Sequence, residues 1–271
     1  MNRIFYFGSL FILMPLELAR KKEFYDKHLN FTDRTLIDYN ISPGTMAKFN
    51  IIKERIGNNH HFKAGLEVGC SGNSFIHFLD HVDHRILLDL AHKPLIPYAQ
   101  YKRYHPSEGS LTQIPYKDKS FDLVVGLDVI EHIYHDGFAA SEMIRVLQPK
   151  GLLVVSVPHR MKFYSHQDVL IGHYRRYELD QLRDLFVSRG LEELTYFGVY
   201  GQAMRVQLYQ AANPDKMEAD LQNLRKKYIS NPVFRRIYDK FVKFGSICMK
   251  IDAKFQPLRN IMNICIIFRK S

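Results

Sequence analysis

Cysteine is scarce in this chain. Cys70, Cys248 and Cys265 stand without metal-type spacing, which argues against a zinc knuckle or a disulfide framework and suits a reducing compartment. Long apolar runs are missing as well. The stretch "IFYFGSLFILM", Ile4 to Met14, is too short to span a bilayer as a helix. It has only Arg3 as a basic flank and no small-x-small site before "ARKKE", so it does not read as a signal peptide. It is expected to pack on the body of the protein or to lie on a membrane. No other segment approaches spanning length, and there is no internal repeat or low-complexity tract. These exclusions leave a folded cytoplasmic protein, with peripheral membrane attachment as an option.

Acidic residues are thin at one end. Residues 216–271 hold 13 Lys and Arg against 4 Asp and Glu, in a chain whose net charge is +10. Such asymmetry suits an anionic partner, whether a phospholipid surface, a nucleic acid or an acidic substrate, and it also suits a solvated basic face. With 271 residues, 46% of them hydrophobic, the chain can bury a full core.

Short apolar runs alternate with longer amphipathic stretches. Strands are expected at 64–69, 85–90, 121–127 and 151–158, with a further strand in "LEELTYFGVYG" and a last one at 264–270. In "AASEMIRVLQPKG" a helix is expected, with Met143, Ile144 and Leu147 on one face and Pro149 and Gly151 ending it. Residues 23–56 read as helical with a turn at "SPG", 42–44. Strand and helix in alternation predict an α/β, doubly wound, mostly parallel sheet. Four parts are expected: an N-terminal helical segment (1–56), a core (57–201), a basic helical insertion (202–263) and a final strand (264–271).

In a parallel sheet, ligands bind beyond the carboxyl ends of the strands. There "LEVGCSGNS" places closely spaced glycines after a strand, where the backbone can turn sharply and approach a ligand. Asp89, 20 positions after Gly69, ends the next strand and suits a carboxylate accepting ribose hydroxyls. A nucleoside-containing cofactor is implied. A dinucleotide would call for a third glycine that this loop lacks, and no hydride-transfer residues follow.

The block "IPYKDKSFDLVV", "DVIEHI" and "VLQPKGLLVVSVP", taken with the glycine loop, resembles the core of the class I S-adenosylmethionine-dependent methyltransferases over about 66–158. "GHYRRYELDQLRDLFVSRG" (172–190) resembles the segment that follows it in that family. The resemblance implies a seven-stranded Rossmann-like methyltransferase sheet, with a helical insertion before the last strand, and S-adenosyl-L-methionine as cofactor. It places Glu67, Gly69, Cys70 and Gly72 around the methionine end, Asp89 on the ribose, Leu90 on the adenine, Ser110 and Leu111 at the adenine edge, and Asp128 nearby. The family's usual third loop glycine and adenine-edge acid are replaced here, with Ser71, Asn73 and Ser110 in those neighbourhoods.

Methyl transfer to a hydroxyl needs a base, and His132 in "DVIEH" is the candidate; the alternative is that Glu131 and His132 merely begin a helix. No metal site is assigned, although Asp128, Glu131 and His132 match an acid-x-x-acid-His pattern that holds magnesium in some O-methyltransferases of this fold. The segment 158–178, with His159, Tyr164, His166, His173, Tyr174, Arg175 and Arg176, is expected to touch an anionic or ring-bearing acceptor. In the insertion, Phe234, Ile237, Phe241 and Phe244 alternate with Arg235, Arg236, Lys240 and Lys243, a pattern suited to core packing with a membrane-facing edge. The expected acceptor is a small molecule, lipid or glycan methylated at oxygen. RNA methylation and a non-catalytic cofactor-binding scaffold are the alternatives, nucleic acid being the less favoured partner.

Overall fold

The computed structural model describes residues 20–25, 35–204 and 214–271. The apolar run Ile4–Met14 lies outside the described residues. Seven strands form one sheet: β1 (Phe62–Val68), β2 (Val82–Asp89), β3 (Tyr104–Glu108), β4 (Phe121–Leu127), β5 (Leu147–Pro158), β6 (Leu191–Tyr200) and β7 (Asn263–Lys270). Their order is β3-β2-β1-β4-β5-β7-β6. β1 lies parallel between β2 and β4, whereas β7 runs antiparallel between β5 and β6. The doubly wound, mostly parallel sheet expected from the alternation is present.

Alternation along the strands feeds two cores, because successive side chains point to opposite faces. On one face Leu66, Val68, Val124, Leu153 and Val155 pack with Met143 and Val146 of α3 (Asp136–Val146) and Leu182 and Phe186 of α5 (Leu179–Val187). On the other, Leu87, Leu123, Val125 and Val154 meet Phe49, Ile52 and Ile56 of α2 (Pro43–Ile56). Burying a side chain of this size contributes about 1.5–3 kcal/mol, so the central strands dominate the stability and fix their own tips.

Two local expectations are corrected. The helix through "AASEMIRVLQPKG" ends at Val146, and Leu147 is already the first residue of β5, paired with Phe121. A register irregularity between Phe121 and Leu123 absorbs Pro149 and Gly151 inside that strand rather than at a helix end. At "SPG", Ser42 separates α1 (Asp38–Ile41) from α2 as a helix cap, its Oγ accepting from the Thr45 N–H at 3.2 Å. Pro43 takes the first helical position, where its missing N–H costs nothing.

Between β6 and β7 the chain forms α6 (Pro214–Ser230) and α7 (Pro232–Phe255). α7 buries Val242, Ser246 and Ala253 toward the body. A different face of α7 carries Val233, Ile237, Phe241, Phe244, Ile247 and Ile251, all more than half exposed. No helix among the described residues is long and apolar enough to cross a membrane.

Candidate active site

The tips of β1, β2 and β3 are tied in a row. Gly69 N–H donates to the Leu88 carbonyl at 2.7 Å, and Gly109 N–H donates to the Asp89 carbonyl at 2.9 Å. The Asp89 carboxylate accepts from Ser71 N–H at 2.9 Å and from Ala91 N–H at 3.0 Å. Gly69 has φ +68, and a Cβ there would stand 2.4 Å from a Val129 methyl. Only glycine therefore serves at the point where the β1 tip passes beside the β4 tip.

Glu67 and Cys70 sit differently from what their place in the loop suggests. Glu67 is buried; its Oε1 accepts from Phe75 N–H (2.9 Å), and its Oε2 accepts from Ser74 Oγ (2.6 Å) and Ile76 N–H (3.0 Å). Burial pushes its pKa up, against the pull of those three bonds. Through these three bonds its carboxylate holds the chain that follows the glycine loop. Cys70 is buried in the α2-side core, where burial first, then Asp89 and Glu67, push its thiol pKa up. Gly72 accepts from the buried Tyr98 hydroxyl through its carbonyl at 2.9 Å. Leu111 is buried, Leu90 is half-buried, and Ser110 Oγ lies 2.8 Å from Thr112 Oγ1.

Past β4 the structure separates two carboxylates that lie close in sequence. Asp128, with φ +53, is bonded by Lys48, Ser156 and Asn263. Burial pushes its pKa up, but the charge of Lys48 and the three hydrogen bonds outweigh that and hold it below the ordinary carboxylate range. Glu131, fully buried, turns instead toward His132 and His173. Burial, and then the charge of Asp128, raise its pKa well above the usual value. His132 is held neutral, its pKa pushed down to about 3 by burial and then by His173 and Lys21. The rings of His132 and His173 meet edge to face at 4.5 Å.

His173 reaches this cluster through the turn after α4 (His166–Leu170). Gly172 there has φ +81, and Tyr174 N–H donates to the Glu131 carbonyl at 2.9 Å. Asp168 accepts from His173 Nδ1 at 2.8 Å and from Arg176 at 2.9 and 3.0 Å, while Ser165 N–H also donates to it. Tyr164 stays with this turn, its hydroxyl donating to the His173 carbonyl at 2.7 Å, whereas His159 and Arg175 lie apart from it. His159 is buried against the Tyr177 carbonyl, and Arg175 pairs with Asp136.

Residues 20–25, helical in the structure, reach both halves of this edge. Lys22 bonds to the Leu90 carbonyl and Glu108, Lys21 bonds to the His132 carbonyl, and Tyr25 stands edge-on to His132 at 5.8 Å. The Tyr25 phenol is pushed up first by burial, then by the charges of Glu131 and Asp89, which places it within range of both. Sequence reading missed Lys21, Lys22, Tyr25, Lys48 and Asp168. For Asp168 the signal lay in its spacing to His173 and Arg176; for the rest no local pattern marks them.

The strand order, with its single antiparallel strand second from the edge, stands beside a match of residues 66–155 to a methyltransferase domain family. Residues 66–155 carry a methyltransferase domain of the class I S-adenosylmethionine-dependent type. A "probable S-adenosylmethionine-dependent methyltransferase" of Mycolicibacterium smegmatis is 28% identical over 179 residues, covering 65% of this methyltransferase and 70% of that protein. One of Mycobacterium tuberculosis is 26% identical over 172 residues, 62% of this chain, and the match spans 63% of that relative's length. Among solved structures, phosphoethanolamine N-methyltransferase 2 of Haemonchus contortus in complex with S-adenosyl-L-methionine superposes with a TM-score of 0.60 at 16% identity, over 92% of this methyltransferase and 60% of that chain. That likeness is one of fold.

Proposed function

We propose that this methyltransferase transfers the methyl group of S-adenosylmethionine to a hydroxyl of a lipid or lipid-borne glycan presented at an anionic membrane surface. The observation that carries the donor half is Asp89. Its carboxylate closes β2 and is fixed beside the glycine loop by Ser71 N–H and Ala91 N–H, the place at a strand tip that suits recognition of ribose hydroxyls. Gly69, Gly72, Ser71 and Leu90 adjoin it, with Leu111 and Ser110 beyond. When bound, S-adenosylmethionine supplies an electrophilic methyl on a positively charged sulfur.

The chain's own residues then hold the acceptor in line, and alignment is the largest lever in such a displacement. The Glu131, His132 and His173 cluster lies at the β4 tip, the side of the sheet edge away from Asp89. His132, neutral and with its pKa pushed down to about 3, is too weak a base to carry off the hydroxyl proton; its part is to orient that hydroxyl by accepting its hydrogen bond.

The membrane part rests on α7. Six apolar side chains at helical spacing stay more than half exposed on one face, and Arg236, Lys240 and Lys243 stand beside them in sequence. Such a face suits an interfacial helix on anionic lipid.

Calorimetry with S-adenosylhomocysteine tests the donor half. The expected result is binding by the native chain and a loss of at least tenfold in Asp89→Ala. A variant that binds like the native chain, with its fold intact, refutes the assignment.

A further inference from the structure

We propose that Tyr174, Tyr134, His135 and Phe138 form a glycan-binding subsite, a row of rings that seats a neutral oligosaccharide whose acceptor hydroxyl reaches His132. That reach rests on the methyl-transfer reading above; the sugar contact does not.

The four rings run in unbroken succession outward from the β4 tip. Tyr174 and Tyr134 meet edge to face with centroids 5.3 Å apart, Tyr134 and His135 at 4.8 Å, and His135 and Phe138 at 5.9 Å. Tyr134 and Phe138 are at least half exposed and Tyr174 more than a third, so the row is not a piece of core. Single exposed aromatics are ordinary, whereas a contiguous group beside a reaction centre marks a contact surface. The inner end of the row is fixed at the site. Tyr174 N–H donates to the Glu131 carbonyl, and the Lys21 ammonium, bonded to the His132 carbonyl, lies 4.2 Å from the Tyr174 ring centroid. Arg175 pins the outer part, donating to the Tyr134 carbonyl and to Asp136 at 2.6 Å each. The backbone beneath the rings is therefore set before a ligand arrives, which lowers the ordering cost of binding.

Charge selects the occupant. The Arg175 guanidinium is paired with Asp136, which also accepts from the Tyr177 hydroxyl at 2.8 Å. Nucleic acid bases would stack on such rings too, but the phosphates between them call for a track of cations alongside. Asp136, in the first turn of α3, puts a carboxylate there instead. Anionic lipid makes the same demand for cations. A pyranose does not: it offers an apolar C–H face, whose hydrogens carry partial positive charge, to the negative face of an aromatic ring. The hydroxyls around its rim suit the tyrosine hydroxyls and imidazole nitrogens at the edges of the row.

Position agrees with charge. α3 packs on one core through Ala139, Ala140 and Met143, whereas α7 inserts Ala253 into the other. The row and the apolar face of α7 therefore belong to opposite sides of the sheet. With α7 on a bilayer, the row meets the part of the acceptor that stands in water. Of the two acceptors named above, this favours the lipid-borne glycan, its lipid on the α7 side and its sugars on the other.

The test titrates cellohexaose, maltohexaose and chitohexaose into full-length protein, with binding read by calorimetry. Native protein should bind at least one of them. Tyr134→Ala, which keeps the carbonyl that Arg175 bonds, and Phe138→Ala should each weaken that binding at least fivefold, with thermal midpoint and S-adenosylhomocysteine affinity unchanged. No binding of any of the three by native protein, or unchanged binding in the folded double variant, overturns the proposal. So does tighter binding of single-stranded oligouridylate through the same rings, or loss of flotation on phosphatidylserine vesicles in the double variant. Should the variants fail to fold, saturation-transfer NMR on native protein decides: transfer from aromatic ring protons to the sugar C–H protons supports the stacking, and its absence overturns it. Failure of S-adenosylhomocysteine binding in the native chain refutes the donor site and leaves the sugar result standing.

Discussion

Lys48 of α2 and Asp128 beyond β4, 80 positions apart, form an ion pair in which the ammonium side chain is only 6% exposed. Asp128 keeps about a third of its side chain exposed (35%), so part of the attraction is screened by solvent. Removing one partner costs more than an exposed pair is worth and less than a fully buried one: about 2–3 kcal/mol. Lys48→Met should lower the urea midpoint accordingly. The pH dependence follows from Asp128, whose folded pKa lies below its unfolded value near 3.9. Its contribution is present above that unfolded value and is lost as pH falls through the folded one. The stability gap between native and Lys48→Met protein should be full at pH 6 and narrow on acidification below about pH 4. A gap that stays constant across that window would refute the pairing.

Glu67→Gln should act on the glycine loop from behind. The amide nitrogen would have to replace either Oε1, facing Phe75 N–H, or Oε2, facing Ile76 N–H. Either choice sets donor against donor, at about 1–3 kcal/mol. Thermal or urea unfolding should show that loss, together with weaker S-adenosylhomocysteine binding. Native stability and native affinity together would show that the carboxylate does not shape the loop.

Gly69→Ala meets two separate penalties, the positive φ and the contact with Val129. The backbone term is about 1 kcal/mol or more. Combining it with Val129→Ala removes the nearest obstructing methyls, so the double variant should be less destabilised than the sum of the two single changes, while the backbone term persists. Strict additivity of the two changes in urea unfolding would show that they do not meet.

Ile237→Glu with Phe244→Glu places charge on two α7 positions that are 66% and 68% exposed. Folding stability should change by less than about 0.5 kcal/mol, as expected for surface sites. Flotation with vesicles containing phosphatidylserine should fall several-fold. Equal flotation of the double variant, or none by the native chain, would remove the membrane reading.

The sequence carried the sheet well where strands are buried on both faces, as in "FDLVVGL" and "GLLVVSVP", because continuous apolar runs leave few alternatives. It carried β3 poorly. "YHPSE" is short, polar and contains Pro106, and it becomes a strand at the sheet edge only by pairing with β2. The placement of Asp89 beside the loop was legible from spacing. The division of labour between Asp128 and Glu131 was not, since it depends on Lys48 from α2 and Asn263 from β7. His173 was visible as one member of a crowded segment, but nothing local told it apart from His159 or His166.

Asn263, at the start of β7, donates to Asp128 from 135 positions downstream. The edge that bears the site is thus completed by a strand inserted between β5 and β6 after two long helices. Partly folded chains without β7 would lack both the antiparallel ladders that join β6 to the parallel sheet and one of the bonds that orient the β4 turn. Binding competence should therefore emerge with the slow, long-range step of assembly rather than with early collapse.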